Sequence, residues 1–352
     1  MSEQQADIKN KTLVLRLSSL GDVIIAASVL QTNNFQSGVD WVVAKEYSAL
    51  LQHHPRVKNL WVFNRSSGLS GWIELARILW EQHYNFVFDL HGSLRTKIMY
   101  LLFYFWSLGK RAEMPQWKTI NKKYLKRYGC YLFKQYWPEF WRPVQWVTIY
   151  SRFVGGNGQE RPDLNHLLQE ASGFWEPWME KPYFCVMPSS KWPGKQWPVQ
   201  KYFEVLKKSG TMPVILGTES DDASLKLLSM LQQHGIPCVS GVAKWDLLRV
   251  AHVLAGARGY LGSDTGLAHL AEAVGTPAWI IFGPTVPELG FAPWRQNSCF
   301  VGSNQWCRPC GKDGRYCYYF FIDPHRCLKR LDPATVLRGV NKCLVNDRVF
   351  SE

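Results

Sequence analysis

The sequence predicts a two-domain α/β protein with a Rossmann-like organisation. Three observations carry this. A chain of 352 residues has room for two domains at ~150 residues each. Short apolar runs of strand length alternate with stretches of helical period along most of the chain. The turns after those runs are repeatedly built of Gly, Ser and Asp, the residues of strand-to-helix junctions. An apolar fraction of 46% can fill two sizeable cores.

The first domain is expected over residues 1–165. Residues 11–17 read as a strand, 18–22 as a small loop and 23–31 as a helix. The loop lacks GxGxxG, so it is not the dinucleotide fingerprint. Asp22 is either a cap that complements the helix dipole or a carboxylate at the carboxyl end of the first strand, where open α/β sheets place their sites. Strands follow over 39–43 and 57–63, with a helix over 46–52 between them. Residues 71–81 form an amphipathic helix, and 86–90 the next strand. The junction from His91 to Lys97 again falls at a strand's carboxyl end. His91 and Arg95 there either meet an anionic substrate or are ordinary loop polarity.

Residues 99–153 hold 17 aromatic side chains, and 95–152 hold 12 basic against 2 acidic ones. Tyr and Trp with Lys and Arg suit a bilayer interface bearing anionic lipid. The same mixture stacks on single-stranded nucleic acid, or makes a helical subdomain with an aromatic core and solvated lysines. No RNP, zinc-finger or helix-turn-helix pattern supports nucleic acid. The formal net charge of +13 divides as +9 over 1–165 (21 basic, 12 acidic) and +4 over 166–352 (20 basic, 16 acidic). An anionic partner for the first domain follows. No secretory signal is evident, and the longest apolar candidate, 98–108, is about half of the ~20 residues a membrane span needs. A cytosolic protein that touches a membrane is the reading.

Residues 166–182 are the expected linker, and 183–330 the second domain. Its first strand, 183–187, ends in Ser189, Ser190, Lys191 and Lys195 before a helix over 199–208. Two hydroxyls and two lysines there can hold a diphosphate, or are a capped helix with surface lysines. A strand over 213–216 leads to the acidic turn Glu219, Asp221 and Asp222, of a kind that suits a ribose diol. A short strand over 238–240 and a helix over 246–254 come next. Residues 260–285, YLGSDTGLAHLAEAVGTPAWIIFGPT, then read as strand end, tight turn, short helix, turn and buried strand. The free N–H groups at that helix start form an anion site, or Ser263 or Asp264 simply caps it. The run Cys307-x2-Cys310-x6-Cys317-x9-Cys327 permits a tetrahedral zinc site, with His325 as a competing ligand, or is a set of free thiols; nine cysteines in a cytosolic chain argue against a disulfide framework. Residues 331–352 hold a last helix, capped by Asp332-Pro333.

These pieces together resemble a known family. RLSSLGDV, DLHGSLRTK, SSKWPGKQWP, LGTESDD, GSDTGLAHLAEAVGTPAWIIFGPT and the CRPC run followed by LDPATV are similar, in order and across nearly the whole chain, to the lipopolysaccharide heptosyltransferases of glycosyltransferase family 9. The resemblance implies a GT-B fold: two Rossmann-like domains facing across a cleft, an acceptor-binding and a nucleotide-sugar-binding one, with the last helix packing back towards the first. It implies inverting transfer of heptose from ADP-heptose to the inner core of lipopolysaccharide, on the cytosolic face of the inner membrane. Asp22 stands at the general base. Ser189, Ser190 and Lys195 stand at the diphosphate contacts, Asp221 with Glu219 close by at the ribose contact, and Asp264, Thr265, Gly266 and His269 in the donor motif. Arg65, His91, Arg95 and Lys97 are assigned to the acceptor, a lipid-linked anionic saccharide, from charge and location. No DxD motif adjoins a donor turn, so metal-independent chemistry is expected, any zinc being structural. The alternatives are a GT-B enzyme using another nucleotide sugar, and a non-catalytic protein that binds anionic lipid or nucleic acid.

Overall fold

The first apolar run is β1 (Thr12–Leu15), buried at every position. The computed structural model describes residues 11–109, 113–121, 124–133, 145–171, 173–311 and 313–347. α1 (Leu20–Ala26) follows and tightens into a 3-10 turn over Ala27–Gln31, so the predicted single helix is two short pieces. β2 (Val39–Ala44) and β3 (Val57–Phe63) flank a 3-10 helix, Lys45–Leu50. α2 (Gly68–Trp80) buries Trp72, Leu75, Ala76, Leu79 and Trp80, the stripe that helical spacing predicts. β4 (Phe86–Asp89), α3 (Leu94–Gly109) and β5 (Gln116–Thr119) complete the sheet. Its strands are all parallel, in the order β3-β2-β1-β4-β5. Leu13, Leu15, Trp72, Val87, Met99 and Phe103 fill the core between sheet and helices.

α4 (Tyr124–Phe133), α5 (Trp146–Phe153) and α6 (His166–Glu170) come next. Residues 110–112, 122–123 and 134–144 of the basic aromatic segment lie outside the described residues. The chain forms two units. The first takes the described residues to 121 together with Trp146–His166, and the second takes α4 and everything from Leu167. α4 belongs with the second unit because Cys130 packs with Leu289, Val286 and Phe291. A boundary at 165 does not foresee that crossing.

The second sheet begins with β6 (Tyr183–Met187), α7 (Val199–Ser209), β7 (Met212–Ile215), α8 (Asp222–Gln233) and β8 (Val239–Ser240). α9 (Leu247–Ala255), β9 (Gly259–Ser263), α10 (Gly266–Ala273), β10 (Ala278–Phe282) and β11 (Cys299–Gly302) follow. α11 (Arg326–Lys329) and α12 (Pro333–Asp347) end the described chain. The six strands are parallel, in the order β11-β10-β9-β6-β7-β8, the doubly wound order of a Rossmann domain. α12 packs on α7 and β11 and gives Val336 and Val340 to a core with Trp197, Leu206 and Trp279. A Cβ on Gly259 would lie 2.3 Å from the Trp279 indole, so the close ring contact needs glycine. Among the described residues no helix is long and apolar enough to cross a membrane.

α10 is held by a buried carboxylate. Glu272 is fully buried, and its Oε1 accepts from Trp294 N at 2.8 Å and Arg295 N at 2.9 Å. Its backbone oxygen accepts from Arg295 Nε at 2.6 Å. Burial pushes the carboxyl up to about 7, against the pull of Arg295, Ser298 and Trp294. A folded-state pKa above the unfolded value near 4.5 means the group's contribution is fully present below 4.5 and lost as pH rises through 7. The difference corresponds to about 3 kcal/mol. Denaturant unfolding between pH 4.5 and 7.5 is therefore expected to show a declining component that Glu272→Gln flattens; identical pH profiles for the two proteins would contradict it.

Candidate active site

In a doubly wound sheet, loops diverge at the point where strand order reverses, and the carboxyl ends on either side leave a crevice. That point lies between β1 and β4 in the first sheet and between β6 and β9 in the second. Asp22 and His91 lie at the first, and Ser189, Ser190, Lys195 and Asp264 at the second.

In the first unit, Asp22 is the third residue of α1. Its Oδ2 accepts from Ser19 N at 3.2 Å and Ser19 Oγ at 2.8 Å, so it does cap its helix. Its other oxygen meets Arg16 Nη2 at 2.7 Å. Arg16, the residue after β1, is buried. It donates to Leu90 O at 2.6 Å and lies 5.6 Å from the Tyr150 ring centroid. Burial raises the Asp22 pKa, but Arg16, the Ser19 hydrogen bonds and nearby His91 outweigh it and hold the carboxyl below its ordinary value. Asp22 is thus an ionised carboxylate at neutral pH. Asp89, at the end of β4, is buried and accepts from His91 N and Gly92 N at 3.0 and 2.7 Å, which fixes the loop bearing His91. Sequence reading misses Arg16, Asp89 and Tyr150; the only signal was a charged residue inside an apolar strand.

The expected acceptor residues are placed less tightly. Arg65 is exposed, 3.6 Å from Glu46 and above the Tyr47 ring. Arg95 is exposed and lies 5.7 Å from the Phe63 ring centroid. Lys97 is exposed on α3. Arg65 and Arg95 follow β3 and β4, so both belong to the carboxyl end of the sheet.

In the second unit the centre is Lys195. Its Nζ meets Asp264 Oδ2 at 2.7 Å and Asp264 O at 3.2 Å. Thr285 Oγ1 donates to the same Oδ2 at 3.1 Å, and Ser263 Oγ donates to Lys195 O at 2.6 Å. The turns after β6, β9 and β10 therefore meet at the Lys195–Asp264 pair. Neither Ser263 nor Asp264 is the helix cap that the sequence offers as one reading. Ser263 is still in β9, the Asp264 carboxylate is taken by Lys195, and Thr265 holds the cap position of α10. His269 is buried and stacks on Trp294 at 5.5 Å.

Ser189 and Ser190 are buried. Ser189 Oγ lies 3.3 Å from Ser224 Oγ, a contact inward from the loop, and Ser190 Oγ accepts from Trp192 N at 3.4 Å. Asp221 turns its carboxylate onto Thr218 N at 2.6 Å, closing the acidic turn, whereas Glu219 in that turn is exposed.

The cysteine-rich segment is part of this site's frame. A Cβ on Gly314 would lie 2.7 Å from Pro284 Cγ and 3.1 Å from Lys195 Cγ. Arg308 donates to Gly283 O, Ser303 O, Phe282 O and Thr285 O, pinning the β10 turn. Burial pushes the Cys310 and Cys327 thiols up, to about 12 and about 11, and Cys307 and Cys317 add to it. Among the described residues no three His, Cys, Asp or Glu side chains form a metal-holding group. Cys307, Cys310, Cys317 and Cys327 nevertheless lie near enough to act on one another's thiols, in a segment that also wraps Arg308.

Residues 72–317 match the sequence profile of glycosyltransferase family 9 (heptosyltransferase). The chain is 26% identical to lipopolysaccharide heptosyltransferase 1 of Pseudomonas aeruginosa, covering 95% of this chain and 98% of that protein. Its fold is similar to that of the glycosyltransferase family 9 structure from Veillonella parvula, with TM-score 0.69 and 16% identity over 96% and 98% of the two chains. It is also similar to E. coli heptosyltransferase WaaC with ADP, with TM-score 0.66 and 18% identity over 95% and 99%. The two parallel-sheet α/β units are those of the GT-B fold.

Removing the buried guanidinium should release Asp22. Arg16→Met is expected to raise the Asp22 pKa, read by carboxyl carbon NMR titration; an unmoved titration would show that Arg16 does not control it.

Proposed function

The chain belongs to glycosyltransferase family 9, and from that membership we propose that it transfers heptose from ADP-heptose to the inner core of lipopolysaccharide with inversion at the anomeric carbon. The observation that carries this is the meeting of three strand-end turns at the Lys195–Asp264 pair. A donor diphosphate needs a cation and free backbone N–H groups, and that end of the second sheet supplies both. The ammonium pairs with Asp264, so a diphosphate has to compete with that carboxylate. The relative solved with ADP supports an adenosine diphosphate donor.

Asp22 supplies the base. An acceptor hydroxyl loses its proton as it attacks, and a carboxylate held ionised can accept it. Its pairing with Arg16 makes it a weak base, so proton transfer has to accompany leaving-group departure rather than precede it. Positive charge at the diphosphate drives that departure, and we assign it to Lys195 and the start of α10 rather than to a metal. Glu219, exposed in the acidic turn, is the better ribose contact, because Asp221 is spent on Thr218.

The acceptor is proposed to be a lipid-linked anionic saccharide at the cytosolic face of the inner membrane. His91, Arg95, Lys97 and Arg65 offer it positive or polar groups. α3 is apolar on both faces: Met99 and Phe103 are buried, while Leu101, Phe105 and Leu108 are exposed. The exposed apolar side chains beyond Lys97 call for a second apolar neighbour, and a bilayer surface meets that need.

Asp22→Ala is expected to lower transfer at least ~10²-fold, as for loss of a general base, with ADP affinity retained; unchanged turnover would remove Asp22 from the mechanism. Lys195→Ala is expected to weaken ADP binding by ~10-fold or more, and unaltered affinity by calorimetry would refute its role. Purified protein should turn over ADP-heptose in preference to UDP-sugars; the reverse preference would favour another donor. Any zinc would be structural: metal analysis of protein purified without chelator finds it stoichiometric, or dismisses the site.

A further inference from the structure

The sharpest apolar feature on the second unit is a turn in its cysteine-rich segment. Among the described large apolar side chains, Phe321 (97%) and Ile322 (84%) are the two most exposed. Tyr316, Tyr318 and Phe320 beside them are exposed as well. None of these five takes part in the donor site described above.

The turn is built, not frayed. Phe320 N donates to Cys317 O at 3.2 Å, and Ile322 N and Asp323 N donate to Tyr319 O at 3.1 and 3.0 Å. Tyr319 is the inward anchor: its hydroxyl accepts from Trp306 Nε1 at 2.9 Å, and the Arg326 guanidinium lies 4.2 Å from its ring centroid. Lys329 and Asp323 close the far side at 3.0 Å. At the near side Arg315 stacks on Trp192 at 4.1 Å. An ordered scaffold therefore presents two large apolar side chains to solvent, which disfavours the arrangement unless something covers them.

The chemistry of the turn selects the cover. Phe and Ile stand at the tip, tyrosines flank them, and residues 315–330 carry Arg315, Arg326, Lys329 and Arg330 against the single carboxylate Asp323. Apolar tip, amphipathic ring and basic collar match in order the acyl region, headgroup level and anionic surface of a bilayer. We propose that residues 316–322 form a wedge that inserts Phe321 and Ile322 into an anionic lipid surface. The proposal rests on the reading that the acceptor is lipid-linked. It adds a lipid contact on the nucleotide-binding unit, separate from α3.

The test is co-sedimentation of the full chain with phosphatidylethanolamine vesicles with and without phosphatidylglycerol. Wild type should bind the phosphatidylglycerol vesicles, and Phe321→Asp with Ile322→Asp should bind at least ~10-fold more weakly. Thermal midpoint and ADP affinity should be unchanged, since both side chains lie in solvent. Equal binding by the double variant would overturn the wedge and leave the membrane reading standing. No binding by wild type would overturn both. A wild-type dimer that the double variant makes monomeric, with vesicle binding unaltered, would show instead that the turn contacts a second copy of the chain.

Discussion

The Lys195–Asp264 ion pair organises the second unit. It joins residues 69 apart in sequence, which only the strand order brings together. β6 and β9 are neighbours although β7 and β8 come between them in the chain, and the reversal there opens the loops that carry the pair. A lysine on a surface turn would be a flexible, solvated charge. Here Asp264, the carbonyl beside it and Ser263 fix its position. Its charge is met by the Asp264 carboxylate. The placement of this ammonium at the carboxyl end of the sheet thus follows from strand order, where open α/β sheets put their sites.

Much of this was legible in the sequence. The long apolar strands and the amphipathic helices appear where periodicity puts them, and the Gly-Ser-Asp turns do lie at strand ends. What escaped is informative. β5 and β11 were not anticipated because edge strands need only backbone partners: β5 is QWKT, mostly exposed, with no apolar alternation to announce it. Arg16 escaped because a lone charge in a strand carries no local sign that its partner lies on the following helix. Asp264 offered a capping role, and only the position of Lys195 shows that its carboxylate is engaged elsewhere. Local patterns report periodicity and capping; they do not report which loops the sheet will bring together.

The cysteine-rich segment shows the same limit from the other side. Its spacing suggests a metal knuckle standing apart from the chemistry. In the structure Arg308 satisfies four backbone carbonyls around the β10 turn, and Gly314 lies where only a glycine lets the backbone approach Lys195 and Pro284. A half-buried guanidinium is tolerable when its donors are so engaged, and Glu288 adds a favourable charge nearby. The segment is a buttress for the turn after β10, and it carries the exposed apolar turn 316–322.

The most direct measurement of the central claim is a crystal structure with ADP bound. The diphosphate should lie within hydrogen-bond distance of Lys195 Nζ and the first N–H groups of α10, with Asp264 displaced from the ammonium and the ribose beside Glu219. A nucleotide bound elsewhere, or a diphosphate beside an undisturbed Lys195–Asp264 pair, would contradict the account.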